Sequence, residues 1–200
     1  GLSLNPATGV ITGVPTDPPG SYPVVIEVTD PYGSQRTSVV IDLQIDTDLE
    51  LLFPDDYINN ITERLNLYTE MNEINREEEL LEFSRRLQER FRPLPQQATD
   101  LLDSVRLKWM AADLGIEKLV LKHGKLVGYF VGDQQSAFYE SDSFFNILRH
   151  VQANPAHGRL KEKQTRKGLR LLLVIGKVDS ISVAIAALQP FSEAVVTASP

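Results

Sequence analysis

The sequence predicts an α+β protein: helices followed by a small antiparallel sheet with packed helices, preceded by an incomplete β-sandwich fragment that amounts to a β-hairpin. Three observations carry this. Apolar residues recur at spacings of three and four from Ile58 to Leu114, the period of a helix with one buried side. From Ile116 the period shortens and strand-forming residues flank the tight-turn tripeptide His123-Gly124-Lys125. Ahead of both, turn formers (Asn5-Pro6-Ala7-Thr8-Gly9, Asp17-Pro18-Pro19-Gly20 and Asp30-Pro31-Tyr32-Gly33) cut β-prone runs into short pieces.

In order, Tyr22 to Thr29 is a strand rich in β-branched residues, and Ser38 to Ile45 is its returning partner. Pro54, which lacks an amide hydrogen, stops what precedes it. Asn60 and Glu63 have capping-box spacing for a first helix to about Asn72, with Ile58, Ile61, Leu65 and Tyr68 as its apolar stripe and Leu67 and Met71 widening it. Asn75 with Glu78 caps a second helix, whose stripe is Leu80, Phe83, Leu87 and Phe91, and Glu82 and Arg86 stand four apart on it. A third helix runs from about Pro95 to Leu114, with Ala98, Leu101, Leu102, Val105 and Trp109 inward and Gly115 as a left-handed stop. Strands Ile116–Leu121 and Leu126–Val131 follow, then a helix from Ser141 to Ala153 with Phe144, Ile147, Leu148 and Val151 on one side. Arg159–Glu162 and Leu169–Ile175 are further strands, Val178–Leu188 is the last helix, and 192–200 is a tail.

The 200 residues contain no cysteine, which excludes disulfides and thiolate metal sites, and no apolar run approaches the roughly 20 residues that span a bilayer. The first residue is Gly1, and no basic-then-apolar leader precedes the fold, the pattern of a piece of a longer chain. Net charge is −7 and unevenly spread. Residues 1–50 hold seven acids and one base, whereas 51–200 are nearly balanced, so no global attraction to nucleic acid arises and the two parts read as segments of different origin.

Two resemblances fit that division. The run Gly1-Leu2-Ser3-Leu4-Asn5-Pro6-Ala7-Thr8-Gly9-Val10-Ile11-Thr12-Gly13, with Val28-Thr29-Asp30-Pro31-Tyr32-Gly33, resembles Ig-like repeats related to cadherin-like modules. That family implies a β-sandwich found in arrays on bacterial surface proteins, of which residues 1–40 hold the second half; Asp17 and Asp30 read as solvated turn acids, since no further oxygen ligands cluster with them. From residue 41 to 191 an ordered set of motifs, Phe53-Pro54-Asp55-Asp56-Tyr57-Ile58, Glu63-Arg64-Leu65-Asn66-Leu67-Tyr68, Leu87-Gln88-Glu89-Arg90-Phe91-Arg92-Pro93-Leu94-Pro95 and Leu114-Gly115-Ile116-Glu117-Lys118-Leu119, resembles the C-terminal domain of the bacterial transcription-repair coupling factors, the Mfd family. Arg92 stands where that family has a glycine, and a positive φ there would cost it about 1 kcal/mol.

That resemblance implies a non-catalytic regulatory domain of a cytoplasmic DNA translocase, one that folds onto the same factor's UvrA-binding module and so acts indirectly on UvrA and RNA polymerase. It implies no cofactor and no membrane. The second helix is where the family presents its docking face, which places Glu82, Arg85, Arg86 and Glu89 as the interaction residues, with Arg86 at a position often occupied by Glu. An adhesion module, supported by the first forty residues alone, is the alternative.

The residues offer little chemistry of other kinds. No Gly-x-x-x-x-Gly-Lys-Ser/Thr loop is present to cradle phosphates. Asp55-Asp56 at a helix entry reads as capping rather than a catalytic pair, and His123, His150 and His157 lack metal-ligand spacing. Arg159, Lys161, Lys163, Arg166, Lys167 and Arg170 form a basic run that reads as a solvated strand surface, with direct DNA contact the lesser reading because no aromatics are interleaved. Phe138 and Tyr139 read as packing onto the sheet.

Overall fold

The computed structural model describes residues 2–4, 11–13, 24–30, 33–39, 44–165 and 168–196, and the chain divides into two compact units, Gly1–Gln44 and Ile45–Pro200. The turns at 5–9 and 17–20, Asp17, Arg166, Lys167 and residues 197–200 lie outside the described residues.

In the first unit β1 (Leu2–Leu4) pairs antiparallel with β2 (Ile11–Gly13), and β3 (Val24–Asp30) with β4 (Gly33–Val39). Asp30 stands opposite Gly33, so pairing starts directly after a two-residue connection. Of the returning strand expected over Ser38–Ile45, Ser38 and Val39 lie in β4, residues 40–43 lie outside the described residues, and Gln44 and Ile45 belong to β5 (Gln44–Thr47), which joins a different sheet.

The second unit begins its helical part at Phe53. Pro54 carbonyl accepts the amides of Tyr57 and Ile58 at 3.0 Å each, a tight turn that buries Phe53, Tyr57 and Ile58. Their polar atoms are met from later in the chain: Phe53 N–H donates to Tyr68 Oη at 2.8 Å, and Tyr57 Oη donates to the carbonyls of Arg92 (3.0 Å) and Leu87 (3.3 Å). Asp55 and Asp56 are exposed turn residues, not caps; Asp55 pairs with Arg64, and the Asp56 carbonyl accepts from the Arg92 guanidinium. Among the described residues only His123 and Lys177 have positive φ without being glycine, so Arg92 escapes the expected strain and serves as a clamp on the turn.

Helix α1 (Ile61–Glu73) is capped as expected, Asn60 Oδ1 accepting from Glu63 N at 3.0 Å. Only part of the expected stripe is buried. Leu67 and Met71 face inward, followed by Ile74, whereas Ile61 and Leu65 are 66% and 60% exposed. Tyr68 and Arg64 fix this rotation, because both reach Phe53, Tyr68 through its hydroxyl and ring and Arg64 through the carbonyl. Helix α2 (Glu77–Arg90) buries Leu80, Phe83 and Leu87 as the period requires. Its N-cap is Arg76 without a side-chain bond, and Glu79 rather than Glu78 reaches back, to the amide of Asn75 at 3.2 Å. Helix α3 (Gln96–Asp113) buries Ala98, Leu101, Leu102 and Val105 against α1 and α2, with Trp109 half-buried beside them. Its further buried residues Leu107 and Ala111 have no counterpart in the expected stripe; α3 also packs against α5 and β6.

Gly115 (φ +69°) ends α3 as expected, and a Cβ there would fall 2.2 Å from the Phe138 ring. Strands β6 (Ile116–Lys122) and β7 (Lys125–Phe130) form a hairpin through His123 and Gly124, both at positive φ. A 3₁₀ turn (Ala137–Glu140) stacks Phe138 on Phe130 at 5.8 Å and sets Tyr139 edge-on to Phe144 at 5.0 Å, so the packing reading of these two rings holds. Helix α4 (Asp142–Ala153) is capped by Ser141 Oγ; Phe144 and Ile147 of the expected stripe are buried, Leu148 and Val151 half-buried. β8 (Arg159–Thr165) and β9 (Gly168–Gly176) complete a five-stranded sheet of order β5-β6-β7-β9-β8, in which β6–β7, β7–β9 and β9–β8 are antiparallel. Helix α5 (Ile181–Val196) continues through Pro190, so Ser192 to Val196, read from sequence as tail, are helical. The fully buried Phe191 anchors this turn beyond the proline.

The candidate interaction site on α1 and α2

The inward stripe of α2 leaves Glu82, Arg85, Arg86 and Glu89 exposed, with about half or more of each side chain in solvent. The structure brings three of them together. Arg85 lies between Glu82 and Glu89, donating at 2.6 Å to the first and 2.5 Å to the second. The expected Glu82–Arg86 pair does not form; Arg85, one turn away at i+3, takes Glu82 instead. Arg86 turns to α1 and binds Glu70, with its guanidinium 5.5 Å from the Phe83 ring centre. Arg90 does the same one turn on, pairing with Glu63 and lying over Phe91.

These pairs span a groove of about 360 Å³ between the two helices. Leu67, Phe83 and Leu87 line it below, and Glu70, Arg86 and Glu89 at the sides. Arg85 holds the Glu82 carboxyl below its ordinary range, mainly by a hydrogen bond and secondarily by its charge. The face is thus a lattice of alternating signs, not an acidic surface. Sequence reading missed Glu63, Glu70 and Arg90. No spacing rule joins Glu70 to Arg86, sixteen residues apart and on different helices.

Among the described residues no group of three or more His, Asp or Glu side chains stands close enough to hold a metal ion. His150 and His157 do meet, Nε2 to Nδ1 at 3.0 Å, but as a pair. No described helix is long and apolar enough to cross a membrane.

Fold and surface together define an α+β domain whose candidate site is a charged helical face. The TRCF domain family matches residues 47–141, and the family described as "Putative Ig domain" matches residues 1–45. The chain is 42% identical over 77 residues to a transcription-repair-coupling factor of Escherichia coli (strain K12), covering 36% of this chain and 7% of that protein. It is 27% identical over 117 residues to that of Rickettsia bellii (strain RML369-C), covering 58% of this chain and 10% of that protein. The crystal structure of a C-terminal domain of transcription-repair coupling factor has the same fold, with a TM-score of 0.58 and 16% identity, covering 78% of this chain and 92% of that one. Residues 47–141 are therefore similar to the TRCF domain, and the fold is that of a coupling-factor C-terminal domain. The chain spans a tenth or less of the curated relatives' length, and the region matched is the C-terminal domain, not a motor.

Proposed function

We propose that residues 45–196 act as a non-catalytic regulatory domain of a cytoplasmic transcription-coupled repair translocase, docking through the α1–α2 groove onto the UvrA-binding module of the same factor and so controlling UvrA and RNA polymerase indirectly. The observation that carries this reading is Glu89. It stands 60% exposed at the groove, where its side chain pairs with the similarly exposed Arg85. A carboxylate held in a fixed rotamer by a neighbouring cation, on a rigid helix, is preorganised to meet a basic partner. The adhesion reading has support from residues 1–45 alone, while the likeness to the coupling-factor domain covers most of the chain.

The test is titration of the matching N-terminal module with Glu89→Arg. Affinity is expected to fall by about 1 kcal/mol, with an unchanged circular dichroism spectrum. Full affinity with an intact spectrum removes this groove from the interface.

A further inference from the structure

The basic run that the sequence reading set aside becomes something different once strand register is known. Directly paired residues in antiparallel strands share a face. Lys161 stands opposite Leu172, Leu172 opposite Tyr129, and Tyr129 opposite Lys118. One step along, Arg159, Val174, Val127 and Val120 form a second row. The opposite face holds Leu119, Leu121, Leu126, Phe130 and Leu173, all buried in the core. The outer face therefore has an aliphatic floor, Val120, Val127, Leu172 and Val174, with Tyr129 as its single ring. Leu172 is buried and the rest are half-buried.

Cations surround this floor. Lys118, Lys125, Arg159, Lys161 and Lys163 are all exposed. Among the described residues none of the five forms an ion pair; Lys163 lies 6.0 Å from the Tyr129 ring centre. Two more cations on the face are neutralised, Arg170 by Glu117 at 2.6 Å and Lys122 by Asp46 at 2.5 Å. Glu162, the one acid within the run, points to the other side of the strand.

We propose that this outer sheet face is a docking surface for an acidic, aliphatic segment of a partner protein. An apolar centre inside a charged rim is the anatomy of a protein interface. The charges of the rim outside its two ion pairs are all positive, so its complement carries carboxylates around aliphatic side chains. Single-stranded nucleic acid asks for a series of stacking rings, and the floor offers one, already covered by Lys163. Protection of an open edge explains lysines on β8, the last strand of the sheet. It does not explain Lys118, Val120, Val127 and Tyr129, which lie on interior strands. The face shares no residue with the α1–α2 groove, so it goes beyond the proposed regulatory docking.

The experiment selects a phage-displayed library of random 16-residue peptides against the full 200-residue chain, then titrates the enriched peptides against variants. Enrichment of sequences mixing Asp or Glu with Leu, Ile or Val is expected. Lys161→Glu/Lys163→Glu should weaken them at least tenfold and Lys161→Gln/Lys163→Gln about threefold. The glutamine pair keeps the test valid should the reversal disturb folding. No enrichment, peptides without acidic bias, or affinities indifferent to both pairs of substitutions in a folded chain overturn the proposal. Tighter binding of a dT20 oligonucleotide than of any peptide, lost on the same substitutions, also overturns it and makes the face a nucleic-acid surface.

Discussion

The charged face of α2 and the outer face of the sheet use the same side chains and reach opposite electrostatic ends. On α2 every arginine of the face has a carboxylate: Arg85 has two, Arg86 has Glu70 and Arg90 has Glu63. On the sheet five cations form no ion pair among the described residues, Lys118 feeling Asp46 only at longer range. The cause is the period of the backbone. A helix brings i, i+3 and i+4 together, so Glu82, Arg85 and Glu89 find one another within a single element. A strand sends neighbours to opposite faces, so Glu162 between Lys161 and Lys163 neutralises neither. Counting signs in a sequence window gives the same description of both runs. The secondary structure decides which charges are paired within the chain.

The comparison breaks most severely where the α2 face loses its support. Phe83 is buried beneath Arg86 and lines the groove. Phe83→Ala should cost about 3–5 kcal/mol of stability through the cavity it leaves. Urea unfolding followed by circular dichroism measures this, and a loss under 1 kcal/mol would show that α2 is not anchored through this ring. Sheet-face peptides should keep their affinity under conditions where the variant stays folded, because the two surfaces lie on different elements.

A smaller effect separates the helical charges from the free ones. Arg86→Glu places a carboxylate beside Glu70 and should destabilise the fold by about 1 kcal/mol, with Glu70→Lys in the same chain restoring most of it. On the docking face proposed above, the same substitution adds a carboxylate for a basic partner. The Arg86–Glu70 pair shows that it first loosens α1 from α2. The matching reversal on the sheet, Lys161→Glu, should leave stability within about 0.5 kcal/mol, since it breaks no pair. Equal losses for the two would mean that the sheet charges are paired after all.

The parts of the fold that sequence reveals are those governed by one local period. The α2 stripe, the Asn60 cap, the Gly115 stop and the His123-Gly124 turn each depend on a few neighbouring residues, and each stands where expected. Helix α1 carries apolar side chains around most of its circumference, so Ile61–Leu65 and Leu67–Met71 are equally good stripes by spacing. Contacts to Phe53 from Arg64 and Tyr68 choose between them, and these are invisible to periodicity. The candidate interaction residues were legible as exposed positions of α2, but the ion pair that occupies Arg86 was not. The sheet face was least legible, since its rows take one residue from each of four strands scattered between Lys118 and Val174.

The smallest expected effect lies in the two carboxylates that mark paired charge on each surface. Glu82 is held below its ordinary range first by the Arg85 hydrogen bond, and Asp46 first by the Lys122 hydrogen bond, with Lys118 adding a weaker pull and burial opposing both. A carboxyl whose folded pKa is depressed binds fewer protons than in the unfolded chain. Its contribution is therefore present above the unfolded value, about 4, and is lost as pH falls through the lower folded value. Arg85→Gln should return Glu82 toward the ordinary range. Lys122→Gln should return Asp46 only part of the way to the ordinary range, because the weaker pull of Lys118 remains. Carboxyl carbon chemical shifts followed from pH 6 to about pH 2 by NMR read both groups separately. Moderate salt should shrink the Glu82 displacement further, since screening acts most on exposed pairs. An Asp46 carboxyl that does not move in Lys122→Gln would mean that the free cations of the sheet, rather than Lys122, hold it down; the acid would then already be sampling the surface proposed for a partner's carboxylates.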